Sequence, residues 1–213
     1  MTNHVIGDRQ RINIIVGENG IGKTRLLHKL YNDSENAVFL DQTISNSTIV
    51  SMRKVLYKYG IEPEYYSKKI IDVLKNLDPK ITGLFLVEGD GDILILRKGH
   101  DYFVLDSMGQ GFKKLFYYTF MLLTHNNCTM MIDEIENGLY TDTLDIVWQT
   151  INHYSKRNNI QCFIVTHSME CIESFVDNVT DTDIALYRLE EERIVRHDRE
   201  QLLFAIERGW KIR

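Results

Sequence analysis

An apolar run, Ile12 to Val16, leads into Gly17-Glu-Asn-Gly-Ile-Gly-Lys23-Thr24, and Leu26, Leu27, Leu30 and Tyr31 follow at helical spacing. No other stretch restricts the fold as strongly. The loop fits GxxxxGK[ST], a pattern that average composition produces by chance in roughly one chain in a hundred of this length. Its context is the one such a loop needs, a buried strand before it and an amphipathic helix after it. The glycines let backbone N–H groups turn inward, and the helix aims the positive end of its dipole at the same point. Together they form a cradle for phosphate oxygens. Lys23 can reach the β- and γ-phosphates of a nucleotide, and the Thr24 hydroxyl can ligate Mg2+.

Three further stretches gain meaning from that loop. Met130-Met-Ile-Asp133-Glu134 is an apolar strand ending in two carboxylates. An aspartate at such a strand end can hold Mg2+, and a second carboxylate beside it can take a proton from an attacking water. Phe163-Ile-Val-Thr-His167-Ser168 is another strand ending in polar residues. A lone histidine is more often structural, but one strand and one helix after Asp133-Glu134 it can meet a γ-phosphate and position water. Asp106-Ser107-Met108-Gly109-Gln110-Gly111 stands just before a helical stripe. Small residues at a helix start suit an anion, although by themselves they mark only a helix N-terminus.

The remaining pattern sets the frame. A short strand is expected at Ala37 to Leu40. Ile49, Met52, Leu56 and Tyr59 mark one helix, stopped by Gly60, and Tyr66, Ile70, Val73, Leu74 and Leu77 mark a second, which Pro63 suits as an opening. Leu84 to Val87, Ile93 to Leu96 and Tyr102 to Leu105 read as a β-meander. Its Glu88-Gly-Asp-Gly-Asp turn is too short for an EF-hand loop and lacks the later glutamate. From Gly111 onward helix and strand alternate, which implies a largely parallel sheet. Ile184 to Leu189 and Arg193 to Arg196 read as a hairpin, and a helix from about Arg199 closes the chain. The apolar stripes are core faces rather than cofactor boxes.

Composition narrows the classes. At 213 residues and 44% apolar content, the chain suits a single α/β domain with its own core. A formal charge of −5 argues against strong non-specific binding to nucleic acid. Cys128, Cys162 and Cys171 are widely spaced and read as buried apolar residues in a reducing compartment. The histidines show no metal-ligand spacing. No apolar stretch approaches the roughly 18 residues of a membrane span, and the N-terminus lacks an apolar signal segment. A cytoplasmic protein is therefore expected.

The motifs stand in the order and spacing of an ABC-type ATPase head, and the chain resembles that superfamily over most of residues 10–213. Gly17 to Thr24 is similar to Walker A, Asp133-Glu134 to Walker B and Glu136-Asn-Gly-Leu139 to the D-loop. Ser107-Met108-Gly109-Gln110 resembles the signature motif with Met108 in place of its first glycine. His167 resembles the switch histidine, and Gln42 the Q-loop glutamine. GENGIGKT, MMIDEIENGLY, VTHS and the ending AIERGWKIR are most similar to the small AAA-labelled, ABC-like ATPases related to the overcoming-lysogenisation-defect nucleases. No long heptad stretch and no acidic constellation for a Toprim domain accompany them, so neither part is expected.

The resemblance implies a P-loop NTPase fold of the ABC-ATPase type, a mostly parallel sheet flanked by helices, with a β-meander and a helical insertion at about 43–105. It implies ATP and Mg2+ as cofactors. Asn19, Gly20, Ile21, Gly22, Lys23, Thr24 and Arg25 would bind the nucleotide, and Thr24, Asp133 and Gln42 the metal. Glu134 would act as general base and His167 as γ-phosphate sensor. Ser107, Gly109 and Gln110 would act in trans, in a head-to-tail homodimer that sandwiches two ATP molecules. The expected function is a nucleotide-driven dimerisation switch for a separate effector, with phage defence as the setting by analogy. The tyrosine-rich segment from Thr43 to Tyr102 is the expected partner surface, with core packing as its alternative. A repair ATPase acting on nucleic acid, a transporter's nucleotide-binding subunit and a nucleotide-dependent scaffold remain alternatives.

Overall fold

The computed structural model describes residues 6–40, 63–87 and 93–209. Gln42, the expected helix over Ile49 to Tyr59 and the turn at 88–92 lie outside the described residues. Among the described residues, nine strands and six α-helices follow in chain order: β1 (Ile12–Gly17), α1 (Lys23–Asn32), β2 (Ala37–Leu40), α2 (Pro63–Leu74), β3 (Ile81–Val87), β4 (Ile93–Lys98), β5 (Asp101–Val104), a 3-10 turn (Leu105–Ser107), α3 (Gln110–Thr124), β6 (Cys128–Ile132), α4 (Thr141–Arg157), β7 (Ile160–Val165), α5 (Met169–Asn178), β8 (Ile184–Leu189), β9 (Ile194–His197) and α6 (Arg199–Glu207).

The main sheet has six strands in the order β2-β6-β7-β1-β8-β9. All neighbours pair in parallel except β8 and β9, which form the antiparallel hairpin. Strand β1 lies at the centre, and Ile12 to Val16 are all buried. That is why it reads as a continuous apolar run: a parallel strand between two helical layers is covered on both faces. Alternation then sorts its side chains. Ile12, Ile14 and Val16 enter one core with Trp148 and Phe175, while Ile15 enters another with Leu26, Leu27 and Leu30 of α1. Helices α3, α4 and α5 therefore cover one face, and α1 covers the other.

Polar groups inside this frame are paired. The Asn13 side-chain amide donates to Gln10 O and Cys162 O, and its Oδ1 accepts the Gln10 N–H. The Trp148 indole N–H donates to Cys171 O, and the ring lies against Phe175 with centroids 4.9 Å apart. The three cysteines are free and buried. Among the described residues no helix is long and apolar enough to cross a membrane.

Strands β3, β4 and β5 form a separate antiparallel sheet. Ile81, Leu84, Leu96 and Leu105 tie it to the larger core, while Phe85, Tyr102, Phe103 and Val104 are exposed. Several boundaries differ from the sequence reading, among them the start of β3, at Ile81 rather than Leu84, and the end of β4, at Lys98 rather than Leu96. Helix α2 ends at Leu74, and Asn76 and Leu77 continue as tight turns bonded to Val73 O and Leu74 O. Leu105 leaves the strand for the 3-10 turn, where it is buried.

Arg11, at the entrance to β1, pins three segments together. Its guanidinium donates to Asp183 Oδ2 at 2.7 Å, Asp181 Oδ2 at 2.9 Å, Ser155 Oγ at 2.6 Å and Asn152 Oδ1 at 2.8 Å. Breaking a fully buried ion pair costs about 3–5 kcal/mol. Asp183 is half exposed, which screens part of that. Arg11→Met should therefore destabilise the fold by about 2–3 kcal/mol, read as a lower urea midpoint at unchanged slope. A loss under about 0.5 kcal/mol would mean that solvent replaces the network.

Candidate nucleotide site

Strands β6, β7 and β1 run in one direction and in register, with Ile132 beside Ile164 and Ile164 beside Ile14. Their carboxyl ends therefore open at one edge of the sheet, and the chemistry-bearing residues stand just past those ends. In open α/β sheets this edge is where ligands bind.

The glycine loop follows β1 directly. Gly17, Gly20 and Gly22 have φ of +149°, +81° and +101°. Side chains are disfavoured in that region of backbone space. At Gly17 a Cβ would also stand 2.8 Å from Leu189 O. Gly22 is the N-cap of α1 and brings no side-chain cap, so the first N–H groups of the helix stay available. Lys23 is 4% exposed, and its ammonium donates to Gly17 O at 2.7 Å and Glu18 O at 2.8 Å. Burial pulls this ammonium below the usual lysine range, against the opposing pull of Asp133, Glu134 and Glu136.

Thr24 Oγ1 donates to Asp133 Oδ2 at 2.9 Å, which joins α1 to the end of β6. Asp133 is 6% exposed, and its other oxygen, Oδ1, is buried with no hydrogen-bond partner among the described residues. A hydroxyl and an aspartate in contact, with one carboxylate oxygen unsatisfied, form an oxygen donor set suited to Mg2+.

Glu134 adopts φ +50°, a left-handed conformation uncommon outside glycine. The cost is about 1–3 kcal/mol, of the kind found at functional sites. Two bonds hold the turn: Ile135 N–H donates to Val165 O at 3.2 Å, and Glu134 O accepts Asn137 N–H at 3.0 Å. The Glu134 carboxylate comes within 3.9 Å of His167 Nε2, and both side chains are partly exposed. The His167 backbone N–H donates to Glu136 Oε1 at 2.6 Å. Ser168 accepts the Cys171 N–H and so caps α5, which fixes where the strand-end histidine leaves β7.

The structure thus brings together Lys23, Thr24, Asp133, Glu134 and His167. Ser107, Gly109 and Gln110 stand exposed at the start of α3, and Ser107 Oγ donates to Val104 O at 2.7 Å. Among the described residues, no hydrogen bond or ion pair ties those three, Asn19 or Arg25 to the other site groups. The start of α3 does adjoin the segment after Glu136: a Cβ on Gly111 would lie 3.5 Å from Gly138 O. Two features escape the sequence reading, in which Glu136 stands only as part of the D-loop segment. Glu136 serves as acceptor for His167, and Lys114 of α3 is 4% exposed and within the electrostatic reach of Glu136 and Glu134. The sequence clue to Lys114 is a lysine pair inside an otherwise apolar helix.

A family profile described as "AAA domain, putative AbiEii toxin, Type IV TA system" matches residues 28–173, more than half of the chain. The chain belongs to this family. An uncharacterized protein of Methanocaldococcus jannaschii, MJECL11, is 29% identical to this family member over 102 residues, 47% of this chain and 84% of that one. A Helicobacter pylori protein described as an ATP/GTP phosphatase is 31% identical over 84 residues, 38% of this chain and only 23% of that protein. Among solved structures, the dimeric MJ0796, a bacterial ABC transporter cassette, superposes with a TM-score of 0.57 at 14% identity, covering 92% of this chain and 89% of that one. At that identity the likeness is one of fold, and the fold is that of a small ABC-type P-loop ATPase.

Lys23→Ala should weaken ATP binding about ten- to a hundredfold, because it removes charge-assisted hydrogen bonds worth about 1.5–3 kcal/mol. Titration calorimetry with Mg-ATP checks this. An unchanged affinity would remove Lys23 from the site.

Proposed function

We propose that the chain binds and hydrolyses ATP and uses the cycle as a dimerisation switch acting on a separate effector protein. The observation that carries the reading is the Thr24–Asp133 contact with its unsatisfied Oδ1, next to Glu134 and His167 at one strand edge. Backbone amides of the glycine loop and Lys23 bind the phosphates, with Asn19, Gly20, Ile21, Gly22 and Arg25 lining the loop. Thr24 and Asp133 would hold Mg2+, which would supply positive charge to offset that of the phosphates. Gln42 is assigned to the same metal by resemblance. Glu134 accepts a proton from water, and His167 orients the γ-phosphate side of the site. Most of the catalysis is positioning and charge stabilisation.

Dimerisation follows from what one chain leaves open. Helix α3 has no side-chain cap at Gly109, so its first N–H groups face solvent beside exposed Ser107 and Gln110. A second chain's nucleotide satisfies them. The toxin–antitoxin system named in the family description supports work with a partner protein, and a phage-defence setting is analogy.

Glu134→Gln should keep ATP affinity and lose turnover by roughly a hundredfold or more, since an amide cannot accept the proton. It should accumulate as an ATP-bound dimer. Light scattering that shows only monomer at saturating Mg-ATP would sink the switch. The shared site has its own test. Lys23→Ala and Ser107→Arg should each be inactive alone. Mixed equally, random pairing makes about half the dimers hybrids with one intact site of two, so activity should return towards about a quarter of wild type. Phosphate release from a mixture as dead as its parts would refute the sharing, and full activity of Ser107→Arg alone would refute the signature assignment.

A further inference from the structure

Helix α3 carries a charge at the start of its buried stretch. Every residue from Lys114 to Phe120 is buried. Lys114 is 4% exposed, and its Nζ has no hydrogen-bond partner among the described residues. Burial pulls the ammonium below the usual lysine range, and the charges acting the other way are Glu136 first and then Glu134. Glu136 presents the complementary defect. Its Oε1 accepts the His167 N–H, while Oε2 is buried and also unpaired. An orphaned ammonium and an orphaned carboxylate oxygen thus stand on facing segments, next to the residue read as the general base.

Leaving either group unpaired is costly, and pairing them removes both costs at once. Lys114 follows Gln110 by one helical turn. The start of α3 is uncapped, with Gly109 and Gln110 exposed and the rest of the first turn half-buried. A helix packed on all sides moves as a unit, so an anion drawn to its start carries Nζ with it. Glu136 holds the backbone of His167, and Glu134 lies two residues before it in a strained turn. A shift of Lys114 therefore reaches both groups of the hydrolytic pair.

We propose that Lys114 is a positioning residue for hydrolysis, which acts through Glu136 to set Glu134 and His167 when the start of α3 engages nucleotide phosphate. This rests on the ATP-hydrolysis reading above. It adds a dependence of turnover, rather than of binding, on a side chain that lies outside the nucleotide cradle. The chain keeps an unpaired charge in its core because the apolar alternative cannot transmit the engagement of α3.

The test compares wild type, Lys114→Met, Lys114→Arg and Glu136→Gln by steady-state phosphate release, Mg-ATP calorimetry and thermal melting. Lys114→Met should lower kcat roughly ten- to a hundredfold, the usual cost of losing a supporting partner, with ATP affinity within about twofold of wild type. Its melting temperature should not fall, because methionine fills the same volume without a buried charge. Lys114→Arg should recover part of kcat. Glu136→Gln should lower kcat similarly, and combining it with Lys114→Met should cost little more. That variant carries the test if Lys114→Met melts early. A kcat within about twofold of wild type in both single variants, fully additive losses, or a kcat that falls only in step with melting temperature would overturn the proposal. A wild-type chain without turnover sinks the hydrolase reading and this inference with it. A wild-type chain that turns over, beside an equally fast Lys114→Met, sinks the inference alone.

Discussion

The site depends on the parallel register of β6, β7 and β1. Ile132, Ile164 and Ile14 stand side by side, so the chain leaves all three strands at one level. Asp133, Thr166 and Gly17 then follow within one to three residues, and the Thr24–Asp133 hydrogen bond becomes geometrically available. Burial on both faces locks this register. A one-residue slip of β1 would send Ile12, Ile14 and Val16 to the α1 side and Ile15 to the other, emptying two cores at once. The hydrophobic packing that makes the sheet is therefore also what aligns the carboxylates.

Strain and unsatisfied polarity collect at that same edge. Arg11, Asn13 and Trp148 show buried polar groups paired elsewhere in the fold, although Arg188 Nε and His197 Nε2 on the β8–β9 hairpin lack a hydrogen bond among the described residues. At the strand ends it leaves Asp133 Oδ1, Glu136 Oε2 and Lys114 Nζ without partners, and it bends Glu134 into the left-handed region. Each carries a cost that a smaller or apolar residue would avoid. Their grouping within one short turn and the helix facing it matches what a polyanion and a divalent cation would fill. The Lys23 ammonium, held meanwhile by the loop's own carbonyls, is placed to exchange them for phosphate oxygens.

Most of this architecture was readable in the chain, for reasons that vary with the element. Strands β1, β6 and β7 are covered on both faces and so appear as unbroken apolar runs ending in polar residues. The stripes of α4 and α5 point to one core and follow the helical period. Ends were less legible: Leu77 sits at helical spacing, yet turns at Asn76 and Leu77 stop α2 at Leu74. The pairing of Glu136 with the His167 backbone joins residues 31 positions apart, and no local pattern encodes it. Lys114 was hidden by the opposite problem. Periodicity marks which side of a helix is apolar, but α3 is buried around its whole circumference over one stretch, so spacing could not tell Lys113 at the margin from Lys114 inside.

That burial gives α3 two roles that one helix seldom combines. Its start is uncapped, exposed at Gln110 and next to the segment after Glu136, where Gly111 lies in van der Waals range of Gly138. Its body packs against α2 and α4 within the larger core, where dense packing resists small displacements but passes larger ones on whole. One turn on, Leu115 and Phe116 are fully buried and anchor that start to the core. The helix must shift as a body or stay. If it shifts, the buried polar atom it carries closest to the carboxylates is Lys114 Nζ, and the partner short of a bond is Glu136 Oε2. Nucleotide contact at the exposed end and readiness for hydrolysis at the strand edge are then two ends of one rigid element, and the coupling needs no hinge.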